Sequence, residues 1–306
     1  MIFKNKIGLG TSLFGSTPAN VNYHSMLLDT ALEIGYRLFD TGESYANGEC
    51  EKMIGNAIDK SLLSRGNFEI VTKFIPHNNP IISCQRSIDR LNCEYIDAYL
   101  LHFLLPHQRN ISNIKFFIES LVSLKEKKLI NHIGFSNLEI ADVIMWKQAE
   151  NELGLSDDNK AKVWQYQYSL QQRKADIAIH KLINDNRMTA MPHSPFGGGR
   201  ISGSSRPPQP GSPGDFWTYP NTLALKPIAE SIGAMVPQLI LAFVNRQLNS
   251  VVFPKSFKKE NLLSNFNSTQ YIPKITKEVY DKIEKLFPIN NIEMILSLNT
   301  IEEGKR

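Results

Sequence analysis

Apolar positions cluster in short runs along this chain, and most runs are nearly continuous rather than alternating with polar residues. They fall at 6–11 (KIGLGT), 36–41 (YRLFDT), 68–74 (FEIVTKF), 95–102 (YIDAYLLH), 132–137 (HIGFSN), 163–169 (VWQYQYS), 189–195 (TAMPHSP) and 250–256 (SVVFPKS). Continuous apolar runs of this length suit strands covered on both faces, as in parallel sheets. Between them the spacing changes to the helical period. Residues 22–35 carry a stripe of Met26, Leu27, Thr30, Ala31 and Ile34 ahead of a helix-ending Gly35. Further helical patterns lie at 87–91, 114–128, 138–150, 175–186, 237–247, 258–266 and 276–287.

Eight strands alternating with helices predict repeated right-handed βαβ units. Over this length they make an α/β protein, a (β/α)8 TIM barrel in a single domain spanning 1–306. An open doubly wound sheet is the rival. That fold usually marks its first turn with GxGxxG, whereas the first run here leads into Gly8-Leu9-Gly10-Thr11-Ser12-Leu13-Phe14-Gly15. Residues 197–221 break the rhythm with six Gly and five Pro. They read as a long βα loop on the functional face, either covering a ligand or forming a solvated insertion. A tail at 288–306 follows the last helical pattern.

Composition excludes several classes. The 42% hydrophobic fraction and 21% charge rule out a disordered chain, a collagen and a disulfide scaffold. A net charge of +4 gives no reason to expect nucleic acid, though it suits a small anionic ligand. Three cysteines, Cys50, Cys84 and Cys93, lack metal-binding spacing and point to a reducing, cytoplasmic compartment without a metal. No apolar run is long enough to span a membrane, and the first residues lack the apolar stretch of a secretory signal. A monomer or weak homo-oligomer is expected.

In a barrel of this kind the chemistry sits at the C-terminal ends of the strands. The second run ends at Asp40, with Tyr45 just beyond; the third brings Lys73 and the fourth His102. Ser136 and Asn137, Gln165, His193 and Ser194, and Lys255 and Ser256 end the remaining four. Tyrosine is a poor acid at neutral pH. A neighbouring ammonium is expected to lower its pKa, and an aspartate to hold that ammonium. With a histidine donating to the substrate oxygen, these groups can protonate the alkoxide that forms when a carbonyl is reduced. Each residue also has an ordinary structural use, as a turn cap, a rim cation or a core histidine.

The chain resembles the aldo-keto reductase family from about Gly8 to about Asn265. The segment FDTGESYANGECEKMIGNAI is similar to that family's DTAxxYGNGExExxIGxAL signature, and GLGT, VTKF, LLHF, IGFSN, a glutamine-led sixth strand and a PKS-type eighth strand follow in order. The resemblance implies NADPH-dependent reduction of an aldehyde or ketone, a small-molecule carbonyl substrate. Its catalytic tetrad falls on Asp40, Tyr45, Lys73 and His102, with Tyr45 as proton donor. Its cofactor contacts fall on Gly10, Thr11, Ser12, Asp40, Ser136, Asn137 and Gln165. Further contacts fall on His193, Ser194, Pro195, Phe196, Gly197, Lys255, Ser256, Lys259 and Asn265.

The family's nicotinamide-stacking tyrosine is His193 here, whose ordinary titration range would make coenzyme affinity vary with pH. A common phosphate-binding arginine is Asn261, and a common acidic adenine contact is Ser264. NADPH is expected over NADH. Phe14, Tyr45, Phe74, His102 and Trp217 are candidate substrate contacts. Two other classes are open: a lyase or aldolase with Lys73 as Schiff base, and a non-enzymatic, cofactor-binding regulatory subunit.

Overall fold

The computed structural model describes residues 2–173, 178–199, 201, 215–248 and 250–289, with side chains 215–222, 247 and 248 left aside. The chain opens with β1 (Leu9–Gly10), α1 (Pro18–Ile34), β2 (Leu38–Asp40), α2 (Glu49–Lys60), β3 (Glu69–Phe74) and α3 (Pro80–Leu91). It continues through β4 (Ile96–Leu101), α4 (Ile111–Glu126), β5 (Ile130–Ser136), α5 (Ile140–Glu152), β6 (Val163–Gln167), α6 (Ile179–Asp185) and β7 (Thr189–His193). The helices α7 (Asp215–Ser231), α8 (Val236–Leu248), α9 (Lys259–Phe266) and α10 (Lys277–Leu286) follow.

All seven strands are parallel and hydrogen-bonded in chain order, β1 through β7. The expected eighth strand at 250–256 is reduced to a single bridge, Val252 against Ile7. It still closes the ring: Val251 N donates to Ala190 O at 3.0 Å on β7, and Gly8 N to Val252 O at 3.0 Å beside β1. Pro254 has no N–H to continue a ladder, but its carbonyl accepts from Gly10 N at 3.2 Å. The architecture is a nearly closed (β/α)8-type barrel.

Strand parity sets two apolar layers. Inside the barrel lie Phe3, Leu38, Val71, Ala98, Leu100, Val163, Met191, Val251 and Phe253. Outside it, Phe39, Ile70, Phe74, Tyr99, Leu101, Phe135 and Trp164 pack against the helices. All six β3 residues are buried, including the polar Glu69, Thr72 and Lys73.

Local chemistry bounds the helices. Pro18 and Pro80 sit in the first turns of α1 and α3. Asn79, Asn110 and Thr276 accept amide hydrogens at the starts of α3, α4 and α10. Gly35 ends α1 in a left-handed conformation, φ 118°.

Three expectations change. The periodicity did not reveal α2. The region 197–221 is not wholly loop, because α7 begins at Asp215, and residues 202–214 lie outside the described part. The buried face of α1 runs through His24, Leu27, Leu28, Ala31 and Leu32, whereas Met26 is 64% exposed. The tail from 290 onward lies outside the described residues. Among the described residues no single helix is long and apolar enough to cross a membrane, and no group of metal-ligating side chains comes together.

Candidate active site

The strand ends converge on one cleft of about 440 Å³ at the C-terminal mouth of the barrel. Asp40 ends β2 and Lys73 lies near the end of β3, both facing the barrel axis. Tyr45 follows β2 in a tight turn whose next residues, Ala46 and Asn47, have positive φ of 50° and 53°. His102 directly follows β4.

Lys73 is completely buried. Its three ammonium hydrogens have three acceptors: Asp40 Oδ1 at 2.8 Å, Thr41 O at 2.6 Å and Tyr45 Oη at 3.1 Å. Burial works against its charge, but Asp40 and Tyr45 outweigh that and hold the ammonium above the ordinary lysine value. A Schiff-base lysine requires the opposite shift. Burial also pushes the Tyr45 hydroxyl up, by more than Lys73 draws it down. The lowered tyrosine pKa expected from the sequence is therefore reversed, and Tyr45 holds its proton.

The His102 ring meets Tyr45 edge-on, with centroids 5.8 Å apart. Burial, with Lys73 and His193 nearby, lowers its pKa to about 3, so the imidazole is neutral and can donate a hydrogen bond. Its Nδ1 is buried without a partner.

A hydrogen-bonded chain leads away from the tetrad. Gln165 Nε2 donates to Asp40 Oδ1 at 2.8 Å, and Ser136 Oγ donates to Gln165 Oε1 at 3.1 Å. Asn137 Nδ2 donates to Ser136 Oγ at 2.9 Å and to the His102 carbonyl at 3.1 Å. The Asn137 amide oxygen therefore faces His193, whose Nε2 donates to it at 2.9 Å. The other ring nitrogen, Nδ1, lies 3.1 Å from Ser194 Oγ. Burial lowers the His193 pKa to about 4, which removes the pH-dependence near neutrality expected from its residue type.

The far end of the cleft is lined by Ser12, Lys255, Ser256, Asn261, Ser264 and Asn265. Lys255 Nζ lies 3.3 Å from Ser12 Oγ, and among the described residues no carboxylate forms an ion pair with it. Ser264 Oγ is buried without a partner. Amides at one end, and a cation with hydroxyls at the other, fit a long ligand bearing a carboxamide and a phosphate. A nicotinamide dinucleotide phosphate has this chemistry.

Gly10, Ser12, Asp40, Tyr45, His102, Asn137, Gln165, His193, Ser194, Pro195, Phe196, Lys255, Ser256 and Asn265 all line the cleft. Several other candidates do not. Phe74 adjoins the inward-facing Lys73, so parity turns it outward onto Tyr99 and Phe117. Phe14 is fully buried against His24 and Phe257. Neither lines the cleft, against the expectation that both do. Thr11 and Ser136 lie fully buried behind the wall, Thr11 bonded to Asp40 O at 2.8 Å. Gly198 and Gly199 line the cleft where Gly197 does not, and Lys259 begins α9 away from the wall. The Trp217 side chain lies outside the described residues.

Sequence reading missed the Thr41 carbonyl, since any residue there presents the same group. It also missed Pro237 and Phe253 in the wall, which carry no local signal.

The sequence model described as "Aldo/keto reductase family" matches residues 6–287. Methylglyoxal reductase YeaE of Escherichia coli (strain K12) is 29% identical over 199 residues, 62% of this chain and 63% of that protein. The chain thus covers a little under two thirds of this relative. An aldo-keto reductase of Mycobacterium sp. (strain KMS) is 26% identical over 280 residues, 90% of this chain and 83% of that one. In fold, the chain resembles the crystal structure of an aldo/keto reductase from Klebsiella pneumoniae in complex with NADP and acetate. The TM-score is 0.76 at 24% identity, covering 94% of this chain and 92% of the other.

Proposed function

Because the chain belongs to the aldo/keto reductase family, we propose that it reduces a small aldehyde or ketone to the alcohol with NADPH, and that Tyr45 supplies the proton. The observation that carries this reading is the Tyr45–Lys73–Asp40 constellation, with its 3.1 Å and 2.8 Å contacts, beside a neutral His102 at the cleft mouth. The coenzyme supplies a hydride when bound.

The remaining work falls to side chains of this protein. Gln165 keeps one amide hydrogen and one acceptor site for a carboxamide, and Asn137 keeps an acceptor site. Lys255, Ser12 and Ser256 meet a phosphate. His102 holds the carbonyl oxygen by a hydrogen bond from its neutral ring. Tyr45 Oη passes its proton to that oxygen, and the Lys73 ammonium stabilises the phenolate left behind. Asp40 keeps Lys73 charged and in place.

The assay is NADPH consumption against a panel of small carbonyls headed by methylglyoxal, the substrate in the name of the E. coli relative. Tyr45→Phe is expected to lower turnover by about 10²–10⁴-fold while NADPH still binds, as followed by fluorescence titration. Normal turnover in this variant would overturn the role of Tyr45. Lys255→Ala is expected to weaken NADPH by on the order of tenfold or more and to leave NADH nearly unchanged. Equal losses for both coenzymes would remove the assignment of a phosphate to Lys255.

A further inference from the structure

His24 is a buried imidazole on the face of α1 that otherwise packs Leu27, Leu28, Ala31 and Leu32. Its Nδ1 accepts the Gly15 backbone N–H at 2.9 Å, across nine residues of chain. Its ring stacks on Phe257, with centroids 4.7 Å apart and planes at 24°. Phe14 leans on both rings, at 4.9 Å from His24 and 5.3 Å from Phe257. The preceding residue, Tyr23, donates its hydroxyl to the Phe257 carbonyl at 2.7 Å.

Two separate segments meet at this ring. One is the turn after β1, which carries Ser12. The other is 255–257, which carries Lys255. Their tips touch at the cleft, where Lys255 Nζ lies 3.3 Å from Ser12 Oγ and 5.6 Å from the Phe257 centroid. The β1 turn needs such support. Leu13 and Gly15 have positive φ of 74° and 67°, and a leucine in that region is strained unless its surroundings hold it there. The Leu13 side chain is exposed, and its carbonyl accepts the Ser16 N–H at 3.2 Å.

We infer that His24 is a positioning residue that fixes the spacing of Ser12 and Lys255 for the phosphate-bearing end of the coenzyme. This rests on the coenzyme reading above. A ring that both accepts at Nδ1 and stacks must be a neutral imidazole protonated on Nε2. Phenylalanine would keep the stack but leave the Gly15 N–H without its acceptor, which is costly for a buried amide. Asparagine places its Oδ1 near the position of Nδ1, so it can accept but cannot stack. Glutamine carries its oxygen one bond further out.

The test uses the full chain with His24→Phe, His24→Asn and His24→Gln. Dissociation constants are measured for NADPH, for 2′,5′-ADP as a phosphate-end probe and for reduced nicotinamide mononucleotide as a ring-end probe. In His24→Phe, NADPH and 2′,5′-ADP are expected to weaken by on the order of tenfold. The ring-end probe should be unchanged. The kcat at saturating NADPH should stay within about twofold, so the loss appears in KM for the coenzyme. His24→Asn should recover affinity that His24→Gln does not, and this comparison decides the matter if His24→Phe fails to fold by its melting curve. Unchanged 2′,5′-ADP affinity in folded His24→Phe would overturn the inference. So would a loss confined to kcat, or equal losses in His24→Asn and His24→Gln. If the unaltered protein binds neither NADPH nor 2′,5′-ADP, the coenzyme reading itself fails and the inference falls with it.

Discussion

Removing Lys73 tests how the buried charges hold one another. At 2.8 Å from Asp40, and with an effective dielectric of about 20, the Coulomb attraction of the pair is about 6 kcal/mol. Both charges have left water, and their desolvation takes back most of that, so the intact pair adds little net stability. The cost appears when one partner stands alone. Lys73→Met keeps the stem and leaves the Asp40 carboxylate with Gln165 Nε2 as its remaining contact. Asp40→Asn leaves a buried ammonium with neutral acceptors alone, the asparagine oxygen, the Thr41 carbonyl and the Tyr45 hydroxyl.

Each single variant is expected to lose about 3–5 kcal/mol of stability. The double variant has no buried charge at this point and keeps the Gln165 contact through the asparagine oxygen. It should lose only about 1–2 kcal/mol, giving a coupling of at least about 4 kcal/mol. Urea unfolding of the four proteins at one pH measures the cycle. Single-variant losses that simply add, with a coupling below about 1 kcal/mol, would refute the claim that the two charges depend on each other.

Two further outcomes follow from the same geometry. His102 and His193 have folded pKa values near 3 and 4 against an ordinary 6.5, so between these limits the unfolded chain binds more protons than the folded one. Stability is then fully present above about pH 6.5 and declines as the pH falls toward 4. Urea midpoints at about pH 7.5 and 5 should show the decline, and His102→Gln should lessen it; an identical decline in that variant would contradict the neutral buried ring. Gly10 lies against the eighth segment so closely that an added Cβ would sit 2.8 Å from the Phe253 carbonyl. Gly10→Ala should therefore cost about 1–3 kcal/mol by forcing backbone apart, measured as a lowered melting temperature, and a melting temperature equal to that of the unaltered chain would count against the close approach.

The alternation of strands and helices is legible in the sequence, because apolar runs and helical stripes are local patterns. The sequence also placed Asp40, Lys73, His102 and Gln165 at strand ends, where a parallel barrel gathers polar groups. It did not show α2, whose pattern merges into the segment after Tyr45, nor α7 inside a stretch rich in Gly and Pro. Phe14 and Phe74 show the limit on the site. Residue type made both plausible pocket walls, but strand parity turned Phe74 outward and the β1 turn buried Phe14.

The electrostatics, in contrast, come from the folded barrel. Asp40 meets Gln165 across 125 residues, a contact that exists only because the barrel closes. Whether Tyr45 keeps its proton and whether His102 and His193 stay neutral depend on how much water closure removes from each group. The lysine neighbour pointed to the opposite shift for Tyr45, and residue type to a titrating His193. A pattern along the chain records which side chains are near in sequence; desolvation depends on everything packed around them.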